Sequence, residues 1–304
     1  MTDLPSSLLA SHKPSAIQRA FSIPKSSFYY KPLSETISIR KKQNAILKPI
    51  LADIFNECRA SYGVKRYTYA VKARNLPFPV GCNRIRKPMK ALGLRCNTLK
   101  KFRPHSKDKV CELGKNLLER QFRQSQLNKV WVTDITYIYI SGLSKFAYLA
   151  TVIDLADRKP VGWHFSERMT ADTAILALKD ALRKQNHPKN VMIHSDRGAQ
   201  YTSYAFRSFL SAMQLTQSFS HKGCPYDNAV IESFHSSLKK ELIYRTTFYS
   251  FGQAKLKLLE YIDYFYTKVR IHSALGYITP KQMETKLTIE NGRTHSQLQT
   301  SNSA

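Results

Sequence analysis

The sequence predicts an α/β protein in which a five-stranded mixed sheet with flanking helices follows a small, basic, helical domain. Three observations predict this class. The first 110 residues contain short helical patterns rich in Lys and Arg. From residue 129, runs of β-branched and aromatic residues alternate with amphipathic helical patterns. The length of 304 residues, with 42% hydrophobic composition, is enough for about two domains with a substantial core.

The basic charge is concentrated in the first part of the chain. Residues 1–125 hold 26 Lys and Arg against 7 Asp and Glu, a net charge of +19, whereas residues 126–304 carry +8. From Arg84 to Lys109, ten basic residues accompany one acid. Such a stripe binds phosphates through counterion release. A solvated face or an anionic-membrane patch is the alternative, but no amphipathic anchor or lipidation signal lies nearby, so we expect nucleic acid as the partner.

Membrane and secreted classes are disfavoured. No apolar run approaches the ~18–20 residues that a membrane span requires, and the N-terminus lacks the pattern of a signal peptide. The five cysteines are odd in number, widely spread and without a C-x-x-C pair. They indicate reduced thiols rather than disulfides or a zinc site. We therefore expect a cytoplasmic protein with no membrane partner.

In the N-terminal part the patterns predict a turn with a short aromatic helix within 24–30, and helices over 15–21, 38–60, 67–74 and 83–92. A Pro/Gly turn at 77–81 separates the last two, and this pair resembles a helix-turn-helix DNA-binding module. The second helix carries the candidate DNA-binding residues Arg84, Arg86, Lys87 and Lys90. Pro88 counts against a clean recognition helix, because an interior proline removes a hydrogen bond. The alternative is a basic helical hairpin that does not enter a groove.

The core pattern predicts five strands and three helices in the order β-β-β-α-β-α-β-α, which resembles a ribonuclease-H-like domain. The predicted strands are 129–140, 146–155, 161–165, 191–194 and 216–220, and the helices are 171–184, 203–213 and 230–242. A further helix over 250–268 begins at the N-cap Ser250, with Gln253 three residues later.

Six segments follow from these patterns. They are an N-terminal helical arm (1–44), a basic helix-turn-helix-like domain (45–110), a linker helix (111–128), the ribonuclease-H-like core (129–245), its C-terminal helical extension (246–286) and a disordered polar tail (287–304).

Three carboxylates stand where carboxylates are unusual. Asp134 lies within the apolar strand V-W-V-T-D-I-T-Y, where its desolvation is costly without a partner. Asp196 directly follows a short apolar strand, at the carboxyl end where α/β sheets place their sites. Glu232 lies near the start of a helix, with 35 residues between it and Asp196. Each alone would be read as a cap or a salt bridge, but the three together indicate a metal site.

Hard oxygen ligands without a His or Cys cluster suit Mg²⁺ or Mn²⁺. Two such ions ~3.5–4 Å apart activate the attacking oxygen and stabilise the leaving oxygen in an in-line phosphoryl displacement. We therefore predict two ions per active site, held by Asp134, Asp196 and Glu232.

Three motifs carry a specific resemblance. The segments W-V-T-D-I-T-Y-I, H-S-D-R-G-A-Q-Y-T-S and C-P-Y-D-N-A-V-I-E-S-F-H-S-S-L-K-K-E resemble the acidic motifs of DDE transposases and retroviral integrases. The spacing of 35 and the basic Lys239 seven residues after Glu232 are most similar to bacterial insertion-sequence transposases made from the second of two overlapping reading frames. A C-terminal motif, R-I-H-S-A-L-G-Y from Arg270, is also similar.

The resemblance implies cleavage of transposon ends and strand transfer into target DNA in the bacterial cytosol, at the nucleoid. It also implies a homo-oligomer on DNA and an upstream first-frame protein or fusion. A catalytically inactive DNA-binding regulator and a purely hydrolytic ribonuclease H are the alternatives. Further candidate DNA contacts are Lys239, which shares the helical face of Glu232, and Arg197, Tyr226, Asn228 and Arg270. A plain N-cap for Asn228, packing for Arg197 and a helix-dipole role for Arg270 are the alternatives.

Overall fold

The computed structural model describes residues 13–22, 34–96, 114–221 and 224–301. The chain forms two compact units, Met1–Leu51 and Ala52–Ala304. Helix α1 (Pro14–Ala20) lies in the first unit, and helix α2 (Ser34–Glu57) contributes residues to both. The predicted helices over 15–21 and 38–60 are confirmed, whereas the short aromatic helix predicted within 24–30 lies outside the described residues. The predicted domain boundary at residue 44 stays a prediction; the division between the two compact units, like that boundary, falls inside α2.

A basic helical hairpin opens the second unit. Helices α3 (Val64–Lys72) and α4 (Cys82–Ala91) pack together, and Thr68 Oγ1 donates a hydrogen bond to Cys82 Sγ at 3.3 Å. Pro88 lies inside α4 without ending the helix. The two helices are confirmed, but nine residues (73–81) connect them, more than the three or four of a helix-turn-helix. The helix-turn-helix assignment stays a prediction.

A single mixed sheet forms the centre of the second unit, in the strand order β3-β2-β1-β4-β5. Strands β1, β2 and β3 pair antiparallel, whereas β4 pairs parallel with both β1 and β5. The strands are β1 (Val130–Ile140), β2 (Lys145–Asp154), β3 (Pro160–Ser166), β4 (Met192–Ser195) and β5 (Thr216–Phe219). This is the five-stranded sheet of a ribonuclease-H-like fold, as predicted.

Helices cover both faces of the sheet, which is why the first four residues of β1, Val130–Thr133, are all buried. Trp131 belongs to the core cluster on the side of helices α5 (Ala171–Lys184), α6 (Ala199–Thr202) and α7 (Tyr204–Ala212). Val130 and Val132 belong to the opposite cluster, with helices α8 (Ala229–Glu241) and α9 (Phe251–Leu259) and the π-helix Glu260–Val269 that continues α9. Alternating residues of β1 therefore face different helices. Ser250 Oγ accepts from Gln253 N at the start of α9, as predicted.

The predicted linker helix at 111–128 is wrong for its described part, because residues 114–128 form turns and irregular backbone. Gly114 has φ +83°, and a Cβ there would lie 2.5 Å from the Phe219 ring. The Asn116 side chain accepts hydrogen bonds from two following backbone N–H groups, which favours a turn over a helix.

The last helix, α10 (Pro280–Ser301), continues through the segment that the sequence predicts to be a disordered tail. Polar composition argues against a packed core but not against a helix, and after Pro280 the segment has no proline and several Lys, Glu and Gln residues. Among the described residues, no helix is long and apolar enough to cross a membrane. The four cysteines of the described ranges are free thiols.

Candidate active site

The parallel pairing of β1 with β4 sets Asp134 beside Asp196. The paired residues of these strands, such as Val132 and His194, differ by 62 in number. Asp134 and Asp196 differ by the same 62 and follow two positions later, Asp196 being the first residue after β4. Residues two apart in a strand share a face, so Asp134 faces the same side as Val132, toward α8.

The electrostatics of a neighbouring hydroxyl support this placement. Tyr201 lies on α6, and its hydroxyl is 3.3 Å from Thr133 Oγ1. Burial raises the pKa of Tyr201, and the charges of both Asp134 and Asp196 raise it further. The two carboxylates therefore lie near one buried group.

Backbone N–H groups orient each aspartate. Oδ1 of Asp134 accepts a hydrogen bond from Ile135 N at 2.8 Å. Oδ1 of Asp196 accepts one from Gly198 N at 3.0 Å, and a Cβ on Gly198 would stand 3.0 Å from that same oxygen. Glycine is therefore favoured two residues after Asp196, because any side chain there would crowd the carboxylate.

One face of α8 lies over Asp134. His235 Nδ1 is 3.4 Å from Asp134 Oδ2, and His235 is buried. Burial lowers the pKa of the half-buried Lys239, and the charge of Asp134 acts in the opposite direction. Glu232 shares this face, since it precedes His235 by three residues and Lys239 by seven. Its side chain is exposed in the first turn of the helix.

The described residues contain no group of three or more His, Cys, Asp or Glu side chains close enough to hold a metal ion. The sheet brings the two aspartates to one region, and Glu232 lies on the helix α8 that packs over Asp134. The chemistry of the donors fits a hard divalent cation, because all three offer carboxylate oxygens.

The loop before α8 carries two predicted DNA contacts. Tyr226 is 71% exposed, whereas Asn228 is buried. Asn228 makes no side-chain cap, and its Oδ1 has no hydrogen-bond partner among the residues that the structure describes. Sequence reasoning missed Asp227 between them. It accepts hydrogen bonds from Arg120 Nε at 2.7 Å and His221 N at 2.8 Å. Burial alone would raise the pKa of Asp227, but these partners hold it well below its usual range.

Two arginines that the sequence predicts to contact DNA make contacts with other residues of the protein. Arg197 donates to the backbone oxygens of Ser220 and Gly114, each at 3.0 Å, and its guanidinium lies over the Phe219 ring. This is the packing role that the sequence left open. Arg270 is 4% exposed and forms a salt bridge with Glu241, so its assignment as a DNA contact is wrong.

Helix α4 presents a basic surface. Arg86, Lys87 and Lys90 are exposed and Arg84 is half-buried, whereas Ile85 and Met89 are buried. The exposed residues occupy neighbouring helical positions, so they form one patch. We call Arg86, Lys87 and Lys90 the basic patch.

His235 also escaped sequence reasoning. It lies three residues after Glu232 within the third motif, where its spacing could have shown that it shares the face of the glutamate. Its Nε2 is buried without a hydrogen-bond partner among the described residues.

Comparisons with known proteins show which family the chain resembles. Two integrase core domain families match residues 124–225 and 213–280. The chain is similar to the transposase InsF for insertion sequence IS3A of Escherichia coli K12, with 37% identity over 82% of this chain and 86% of that protein. It is also similar to the transposase for insertion sequence element IS904 of Lactococcus lactis, with 34% identity over 81% of this chain and 96% of that protein.

Solved structures show weaker similarity. A chain of the simian T-cell lymphotropic virus intasome, solved with a PP2A regulatory subunit, has a TM-score of 0.45 and 17% identity over 64% of this chain and 66% of that chain. The HTLV-2 integrase catalytic core in complex with magnesium, in its dimeric form, has a TM-score of 0.37 and 15% identity over 52% of this chain and 97% of that chain.

Proposed function

Because this chain belongs to the family of insertion-sequence transposases with an integrase core domain, we propose that it cleaves DNA at transposon ends and joins them to target DNA through Asp134, Asp196 and Glu232. In the joining step, a 3′ hydroxyl attacks a target phosphorus, the phosphorus–O3′ bond of the target breaks, and a new phosphodiester forms. One bond replaces another, so the step requires no external energy source.

A single observation carries this proposal: Asp134 in β1 lies against the face of α8 that carries His235 and Lys239, and Asp196 directly follows the parallel neighbouring strand β4. Two Mg²⁺ or Mn²⁺ ions held there by the three carboxylates would activate the attacking oxygen and stabilise the leaving one. The exposed position of Glu232 allows it to complete this set when DNA and metal bind.

Other residues hold the DNA. Lys239 holds a phosphate next to the carboxylates as a mobile point charge. Tyr226 and Asn228 contact a distorted strand at the start of α8, and the basic patch binds phosphates outside the site. A homo-oligomer on DNA and an upstream first-frame protein or fusion are the partners that we propose.

Two alternatives are less well supported. A decayed, inactive regulator would not need all three carboxylates, which this chain retains. A ribonuclease H that only hydrolyses would leave the basic hairpin and Lys239 unexplained.

The test is a cleavage and joining assay on labelled transposon-end DNA. We expect products with Mg²⁺ or Mn²⁺ and none with EDTA. Asp196→Asn keeps the shape of the side chain but removes a ligand charge, so it should bind DNA and yield no product. Asp172→Asn, an exposed aspartate in the first turn of α5, is the matched control and should behave as wild type. Near wild-type cleavage by Asp196→Asn would overturn the assignment.

A further inference from the structure

A buried ion pair anchors the C-terminal half of the active-site helix α8. The carboxylate of Glu241 accepts hydrogen bonds from Arg270 Nε and Nη2, each at 2.9 Å, and Arg270 Nη2 also donates to Ser237 Oγ at 3.0 Å. Arg270 is 4% exposed. Lys239 lies between Ser237 and Glu241 in sequence, so the pair fixes the turn of α8 that carries this lysine.

The chain on either side of Arg270 is bound to the basic hairpin. Tyr62, just before α3, accepts a hydrogen bond from Ile271 N at 2.9 Å and donates one to Val269 O at 3.1 Å. Farther along, Tyr69 of α3 stacks on Tyr277, with ring centroids 3.8 Å apart and ring planes within 8°. We call residues 269–277 the connector.

The connector thus touches two elements with different proposed tasks. Through Arg270 it is bonded to α8, and through Tyr62 and Tyr69 it is bonded to the hairpin whose second helix carries the basic patch. The contacts of Arg270 and Tyr62 are short, largely buried and directional, so they fix both position and orientation. A segment needed only for packing could be covered by apolar contacts without this bidentate pair.

We propose that Arg270 and Tyr62 are positioning residues, which hold the active-site face of α8 at a fixed place relative to the basic patch. DNA bound by the patch then presents one particular phosphate to Lys239 and the carboxylates. This inference rests on the proposed function of that site. It also gives a role to the R-I-H-S-A-L-G-Y motif, none of whose residues takes part in the proposed reaction.

The test uses the full chain and two variants. Each removes hydrogen bonds of the connector while keeping the size or the charge of the side chain. Tyr62→Phe deletes the hydroxyl that bonds Val269 and Ile271. Arg270→Lys keeps the charge but loses the planar fork that holds Glu241 and Ser237 together. Ile175→Val, on the opposite face of the sheet, serves as a control for a modest loss of stability.

The cleavage rate and the hydroxyl-radical footprint are the two readouts on end DNA at saturating protein, and DNA affinity is first measured by titration. We expect both variants to keep wild-type DNA affinity and to cleave at least tenfold more slowly, with Arg270→Lys less impaired than Arg270→Ala. In hydroxyl-radical footprints, protection by the basic patch should persist, while protection next to the cleavage point should fade. Ile175→Val should change neither readout.

The footprint separates this inference from the proposed function, because it needs no cleavage. If the wild type protects both places but never cuts, the proposed function fails and the connector is still tested by the footprint. Footprints of Tyr62→Phe and Arg270→Lys that match the Ile175→Val control would overturn the positioning role.

Discussion

Lys239 is the residue whose surroundings most clearly separate a DNA contact from a surface charge. It is half-buried, and the charge of Asp134 acts on it. We predict that Lys239→Ala melts like the wild type but loses most strand transfer at limiting DNA, because a phosphate next to the carboxylates is no longer held. The slope of log affinity against log salt should change by only about one unit, since one phosphate contact contributes about 0.9.

The adjacent Lys240 provides the control for this experiment, since it is on the same helix but one residue away from the face of Glu232. Lys240→Ala should keep wild-type strand transfer. Equal loss in both variants would mean that the general charge of α8 matters and that Lys239 has no specific role.

His272 predicts a pH dependence of stability. Burial lowers the pKa of His272 to about 2, and the nearby charge of Arg270 lowers it too. In the unfolded chain the imidazole titrates near 6.5, so below that pH the unfolded state binds a proton that the folded state does not. Above about pH 6.5 the imidazole is neutral in both states and does not change the free energy of unfolding. As the pH falls below this value, protonation of the unfolded state lowers the free energy of unfolding, by about 2 kcal/mol at pH 5.

Comparison of the wild type with His272→Gln isolates this term, because the other titrating groups are the same in both proteins. Urea unfolding at pH 7.5 and pH 5 should show the wild type losing about 2 kcal/mol more than the variant. Parallel pH profiles would contradict the burial of a neutral imidazole.

At the scale of elements, helix α4 should supply much of the sequence-independent DNA affinity. Replacing Arg86, Lys87 and Lys90 with Ala removes three exposed charges while leaving the buried Ile85 and Met89 in place. The salt slope should flatten by about 3 units for every DNA sequence tested, since each phosphate contact contributes about 0.9.

A matched triple variant controls for net charge. Lys189, Lys255 and Lys286 are exposed and lie outside the basic hairpin, and their replacement by Ala removes the same formal charge. Its salt slope should stay close to that of the wild type. If both triples flatten the slope equally, the DNA responds to overall charge, and the basic patch has no special role.

The helices and strands also show which parts of the fold can be predicted from the sequence. The strands and most helices were predictable, because their periodicity and caps are local; the predicted helix 171–184 matches α5 residue for residue. The segment at 114–128 was not, because its turns depend on Asn116 and on the contact of Gly114 with Phe219, more than a hundred residues away. Long-range packing of this kind leaves no periodic signal.

At the scale of the whole molecule, the aspartates were predictable and the arginines were not. A carboxylate inside an apolar strand is costly wherever the strand packs, so Asp134 is conspicuous in the sequence alone. An arginine is unremarkable in a chain of net charge +27. Only the fold reveals that Arg270 is buried against Glu241, 29 residues earlier. The same limit hid the contact of His235 with Asp134.

The central claim is that Asp134, Asp196 and Glu232 together hold two divalent ions when DNA is bound. The most direct measurement is the number of Mn²⁺ ions bound per chain on an end-DNA duplex, from the electron paramagnetic resonance signal of free Mn²⁺. We predict two ions for the wild type and for Asp172→Asn, and at least one fewer for each of Asp134→Asn, Asp196→Asn and Glu232→Gln. Two tightly bound ions in any of those three variants would contradict the shared metal site.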